Sequence, residues 1–115
     1  MEELLFGNNI NSKELKELLE QRKNGEVDFV LVDVREDIEY KQAHIKGIDI
    51  LRPSTKLQLW GPALVEEFKD KTLILTCRTG ARSGHIQRIL KKNGHNSVIN
   101  HSGGIMSYNG ITERG

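Results

Sequence analysis

The sequence predicts an α/β layered domain, a mainly parallel sheet with helices on both faces, and three observations carry that prediction. First, apolar runs without alternation recur at 29–32, 73–75 and 98–99, the pattern of strands buried on both faces. Second, helical spacing separates those runs: Leu15, Leu18 and Leu19 before the first, and Ile86, Ile89 and Leu90 before the last. Third, strand and helix signals alternate along the chain, which calls for a layered rather than a segregated architecture. With 115 residues, the whole chain (1–115) is expected to form one domain.

Taken in order, residues 4–6 (LLF) are expected to add a short first strand. The first helix follows Asn11 or Ser12 as its cap and ends before Gly25. The run 29–32 is the next strand, and a shorter helix is expected within EDIEYKQAH (36–44). Residues 48–50 supply another short strand, and 73–75 a central one. The last helix reaches KKNG, where Lys91 and Lys92 suit the negative end of the helix dipole. Val98 and Ile99 close the series. No repeat, low-complexity segment or linker interrupts it.

Composition narrows the function. A hydrophobic content of 37% with 29% charged residues fits an ordinary folded domain. The single cysteine cannot form an internal disulfide, which fits a reducing compartment or a thiol kept free for chemistry. The acidic start, MEELLFGNNI, has too short an apolar run for a secretion signal, and no run nears the roughly 20 residues that cross a bilayer. A cytoplasmic monomer with no membrane partner is expected. Residues 1–70 hold ten Lys/Arg against fifteen Asp/Glu, whereas 71–112 hold six Lys/Arg and no acid. Such a positive stretch would draw small anions. Few basic residues, scarce aromatics and no recognised binding motif argue against nucleic acid.

The stretch TCRTGARSG (76–84) concentrates the chemistry. Cys77 falls just past the central strand, and the following helix begins near Ser83. In open parallel sheets the ligand crevice lies outside the carboxyl ends of the strands. Helix N-termini there offer unpaired N–H groups and partial positive charge. Gly80 and Gly84 let the backbone curl so that successive N–H groups point inward. Arg78 and Arg82 bracket the thiol, and the cradle as a whole is expected to lower its pKa from the usual value of about 8.5. Cys77 therefore reads as a nucleophile in an anion-binding loop.

Three motifs resemble those of single-domain rhodaneses, sulfurtransferases that carry sulfur as a cysteine persulfide. LVDVREDIEYKQAHIKG (31–47) resembles the family's entry motif, CRTGARS (77–83) its active-site loop, and SGGIMSY (102–108) its closing Gly-Gly-x-x-x-Trp. Ala43 stands where the family has Gly, Tyr108 where it has Trp, and 48–62 departs from the usual sequence beside the pocket. The resemblance implies a five-stranded, mainly parallel sheet flanked by helices. It also implies that Cys77 is the nucleophile and that Arg78, Thr79, Gly80, Ala81, Arg82 and Ser83 surround the substrate. Asp33 and Arg35 would brace the loop. The implied partners are a small anionic donor, thiosulfate, polysulfide or a persulfide, and a thiol or acceptor protein; no cofactor is called for.

Other residues take blander roles. Arg35 and Glu39, four apart, are expected to pair weakly. His44, His85, His95 and His101 lack zinc-site spacing and are read as surface or structural residues, with no metal. Trp60 is expected to pack over the core or pocket rim. Two alternatives share the fold. A cysteine phosphatase or arsenate reductase would use Cys-x5-Arg, one residue longer than the Cys77-to-Arg82 spacing, and a non-catalytic binding module would usually lack the cysteine.

Overall fold

The computed structural model describes residues 2–115. A 3-10 helix at Glu2–Phe6 precedes a two-residue strand, β1 (Asn9–Ile10). Residues 4–6 therefore do not form the expected strand. Gly7 N–H closes a turn onto the Leu4 carbonyl at 3.4 Å, and Leu4 and Leu5, adjacent in sequence, both pack on the same core. A strand would send them to opposite faces.

Helix α1 (Ser12–Lys23) starts in a capping box: Asn11 Oδ1 accepts the Glu14 N–H at 2.8 Å, and the Glu14 carboxylate accepts the Asn11 N–H at 2.9 Å. There follow β2 (Val30–Asp33), α2 (Asp37–Gln42), β3 (His44–Ile45), β4 (Ile50–Leu51), α3 (Leu57–Glu67), β5 (Leu73–Thr76), α4 (Ala81–Lys92), β6 (Val98–His101) and β7 (Thr112–Glu113). The main sheet runs β1-β6-β5-β2-β4 with every pair parallel. A separate antiparallel pair joins β3 to β7. The five-stranded α/β expectation is thus met.

Period-2 alternation sends the sheet's side chains to two cores. Leu73, Leu75 and Val32 meet Trp60 and Leu64 of α3 and Ile86 and Leu90 of α4. Ile74, Leu31 and Ile99 meet Leu15 and Leu18 of α1. Helix α3 has little local support in the sequence, since Gly61-Pro62 reads as a breaker and Pro62 forgoes an internal hydrogen bond. Trp60 and Leu64, one turn apart and both buried, hold it to the sheet, and Trp60 Nε1 donates to the Pro53 carbonyl at 2.7 Å.

Register fixes where the site lies. Asp33 pairs level with Thr76, so the ends of β2 and β5 share one edge. Cys77 is the first residue beyond that edge on the sheet's central strand.

Candidate active site

Leaving β5, the chain turns through Cys77-Arg78-Thr79-Gly80 and enters α4 at Ala81. Gly80 makes the turn with a left-handed φ of +97°. Its N–H then points back to Cys77 and donates to Sγ at 3.1 Å, while Ser83 Oγ lies 3.4 Å from the same sulfur. Ser83 Oγ–H also donates to Asn100 Oδ1 at 2.5 Å, and Asn100 Nδ2–H donates to the Gly80 carbonyl at 3.2 Å. These bonds close a ring around the thiol. Below it, Ile105 N–H donates to the Cys77 carbonyl at 2.9 Å and Met106 N–H to the Arg78 carbonyl at 3.0 Å. The segment 102–107 is thus the floor of the loop. Its Gly104 accepts that close approach at a φ of +63°, with no room for a side chain against the Arg78 carbonyl.

Cys77 is only 1% exposed. Burial raises its pKa, but hydrogen bonds from Ser83, Gly80 and Thr79 outweigh burial and hold the thiol below its ordinary value. The direction is the one the sequence predicted. The cause is mainly hydrogen bonding by the loop rather than the two bracketing guanidinium groups.

Those two arginines occupy different settings. Arg78 and Thr79 are exposed, and Arg78 Nε lies 3.3 Å from Met106 Sδ. Arg82 Nη1 and Nη2 each donate to a Glu39 oxygen at 2.8 Å. That bond, with burial against it, raises the Arg82 pKa, and charge attraction to Glu39 and to the Cys77 thiolate adds to the rise. The expected Arg35–Glu39 pair is not made. Arg35 precedes α2, so helical spacing does not apply; it folds back on Asp33 through bonds of 2.9–3.1 Å and donates to the Ala43 carbonyl at 2.7 Å. Asp33 and Arg35 are both buried, and these bonds tie β2 to the end of α2. Ala81 is exposed and Ser83 fully buried.

Sequence reasoning missed Glu39 as the partner of Arg82, and Asn100 and Gly104 as supports of the loop. Only the Gly103-Gly104 doublet carried a local signal. His101 lies buried behind the loop, bonded to Thr76 Oγ1 at 2.8 Å and Ser12 Oγ at 2.7 Å, with Ser12 in turn 2.6 Å from Ser107 Oγ. It fills a structural place, as does buried His95, which bonds the Phe68 carbonyl. Among the described residues no three His, Cys, Asp or Glu side chains cluster as a metal site, and no helix is long and apolar enough to cross a membrane.

Fold and loop together define a class: an α/β domain with one hydrogen-bonded thiol at the carboxyl edge of a parallel sheet. Residues 12–110 match the rhodanese-like domain family, and the chain belongs to that family. A probable adenylyltransferase/sulfurtransferase MoeZ of Mycobacterium tuberculosis is 30% identical over 102 residues, covering 89% of this chain and 24% of that protein. A tRNA uridine(34) hydroxylase of Acinetobacter baylyi is 33% identical over 108 residues, covering 90% of this chain and 32% of that protein. The chain therefore spans about a quarter to a third of the length of these curated relatives. Among solved structures, a rhodanese-like domain protein from Staphylococcus aureus superposes with a TM-score of 0.74 at 24% identity, covering 95% of this chain and 99% of that one. A rhodanese with anions from E. coli gives 0.64 at 27% identity, covering 76% and 100%.

Proposed function

We propose that the protein is a sulfurtransferase that carries a sulfane sulfur on Cys77. The observation that carries this reading is the convergence of the Gly80 N–H and the Ser83 hydroxyl, whose one proton is shared with Asn100 Oδ1, on one buried sulfur, at 3.1 and 3.4 Å. Donors placed there favour a thiolate and can later steady the sulfur bound to it. The sulfurtransferase name borne by one relative supports the same chemistry.

The reaction would run in two displacements. Cys77 thiolate attacks the outer sulfur of thiosulfate, a polysulfide or a low-molecular-weight persulfide. The donor's S–S bond breaks, its electron pair leaves with sulfite, a shortened polysulfide or a thiolate respectively, and Cys77 holds a persulfide. A nucleophilic acceptor, cyanide in the assay or a thiol in the cell, then attacks the terminal sulfur. Cys77 thiolate is the leaving group and is regenerated. The loop's hydrogen bonds already favour the thiolate, so no histidine base is required.

Phosphoryl chemistry fits less well. The position a Cys-x5-Arg loop gives to arginine is Ser83, fully buried and bonded to Asn100. The nearer Arg82 is tied to Glu39.

Incubation with thiosulfate or an alkyl persulfide, followed by intact mass measurement, tests the reading. A gain of one sulfur atom that cyanide removes is expected. Cys77→Ser should fold and never gain it; transfer retained in that variant would sink the mechanism.

A further inference from the structure

We infer that Glu39 sets donor specificity: by engaging both terminal nitrogens of Arg82 it withholds that guanidinium from the donor, leaving a site suited to persulfides rather than to the thiosulfate dianion. The inference rests on the sulfur-transfer reading and names the donor class within it.

A sulfonate group is gripped best by guanidinium forks that can give it two parallel hydrogen bonds each. At the sheet edge that carries Cys77, Arg35 follows the end of β2, level with the end of β5, and the loop itself supplies Arg78 and Arg82. Arg35 is spent on buried Asp33. Arg82 gives its fork to the Glu39 carboxylate, both bonds at 2.8 Å. Glu39 cannot readily swing aside, because its Oε1 also accepts the Glu36 N–H at 3.0 Å in the capping box of α2. Its carboxyl pKa is held at about 2, first by the Arg82 hydrogen bond against the cost of burial, so it stays ionised at any working pH.

Two of the cations at this edge of the sheet are thus matched by anions, Arg82 by Glu39 and Arg35 by Asp33. Among the described residues Arg78 alone of the three has no carboxylate partner, and it is exposed, with the 63%-exposed Met106 thioether against it. One solvated guanidinium is weak provision for a dianion whose sulfonate must be held while its outer sulfur is attacked. A persulfide needs less. Cys77 thiolate attacks the terminal sulfur of R–S–SH, the S–S bond breaks, RS⁻ departs with the electron pair, and the proton stays on the transferred sulfur. Its organic group can rest on Met106.

The test compares kcat/KM for thiosulfate with kcat/KM for ethyl persulfide in wild type, Glu39→Gln, Glu39→Asp and the double variant Glu39→Gln/Arg82→Gln. Glu39→Gln removes the counter-charge, so the thiosulfate-to-persulfide ratio should rise about tenfold, through a lower KM for thiosulfate. Glu39→Asp keeps the charge but draws the carboxylate back by one methylene, loosening its hold on Arg82, and should give a smaller rise in the same direction; it stands in if Glu39→Gln does not fold. The double variant should return the ratio to the wild-type value, because the gain runs through Arg82. An unchanged or lower ratio in the folded single variants, or a gain that survives in the double variant, overturns the inference and leaves sulfur transfer intact. A wild type that forms no persulfide with either donor removes the sulfur-transfer reading itself, and the inference with it.

Discussion

Gly80 is packed so closely against Ser102 that a β-carbon on it would stand 2.2 Å from the Ser102 carbonyl oxygen. The contact is backbone to backbone, and Gly80 also holds a left-handed φ. Gly80→Ala is therefore expected to cost about 1–3 kcal/mol of stability. It should also swing the Gly80 N–H away from Cys77 Sγ. Thermal unfolding with iodoacetamide alkylation against pH checks both effects: a lower transition and a thiol midpoint shifted upward.

Ser83→Ala separates the hydroxyl from the backbone donors. The variant removes one donor to Cys77 and leaves buried Asn100 Oδ1 without its Ser83 partner. A loss of about 1–3 kcal/mol is expected for the unsatisfied acceptor. The alkylation midpoint should rise, since the Ser83 side chain is the foremost hydrogen-bonding cause of the lowered pKa. An unmoved midpoint would mean that backbone N–H groups alone hold the thiolate.

Arg78 and the lysines of α4 test contact against general field. Lys91 and Lys92 close a 12-residue helix, so they lie about 18 Å along its axis from the loop. Arg78→Ala should lower kcat/KM for thiosulfate roughly tenfold. Lys91→Ala and Lys92→Ala should cause small losses that fade as salt is raised. Equal losses in all three would mean that the site attracts anions only through its field.

His101 gives a pH dependence. Burial holds its pKa at about 4, below the ordinary 6.5. As pH falls through 6.5 the unfolded chain takes up a proton at His101 and the folded chain does not until about 4. The stability that neutral His101 contributes is complete above that upper value and lost progressively between the two. The full loss is on the order of 3 kcal/mol. Urea unfolding across that range should show the decline in wild type and a flatter profile in His101→Gln.

What the sequence made legible was whatever local chemistry dictates. The run 73–75 and the Asn11 cap act through neighbouring residues, so β5 and α1 could be read directly, as could the placement of Cys77 past β5. Residues 4–6 misled because three apolar residues can lie on a tight turn as well as on a strand. Helix α3 was hidden because Pro62 argues against a helix locally, and only Trp60 and Leu64, docked on a sheet far along the chain, override it. Spacing alone pairs Glu39 with Arg35. Its real partner, Arg82, is 43 residues away, brought near by the parallel pairing of β2 with β5. Loop residues that point at a sulfur can be inferred from glycine and serine spacing, but their supports come from other strands.

The order of the main sheet has a consequence for how the protein behaves in a crowd. Its two outer strands, β1 and β4, are two residues long, whereas the three inner strands have four each. A foreign strand seeking to extend the sheet would find too few open backbone groups on either side to hold it. The apolar run 73–75, which would be prone to stack if laid bare, is paired on both sides, with β2 and with β6, and Val30, Leu31 and Val32 of the run 29–32 pair with β5. The fold thus guards its own most aggregation-prone segments by placing them at the centre and leaving only stubs at the margins.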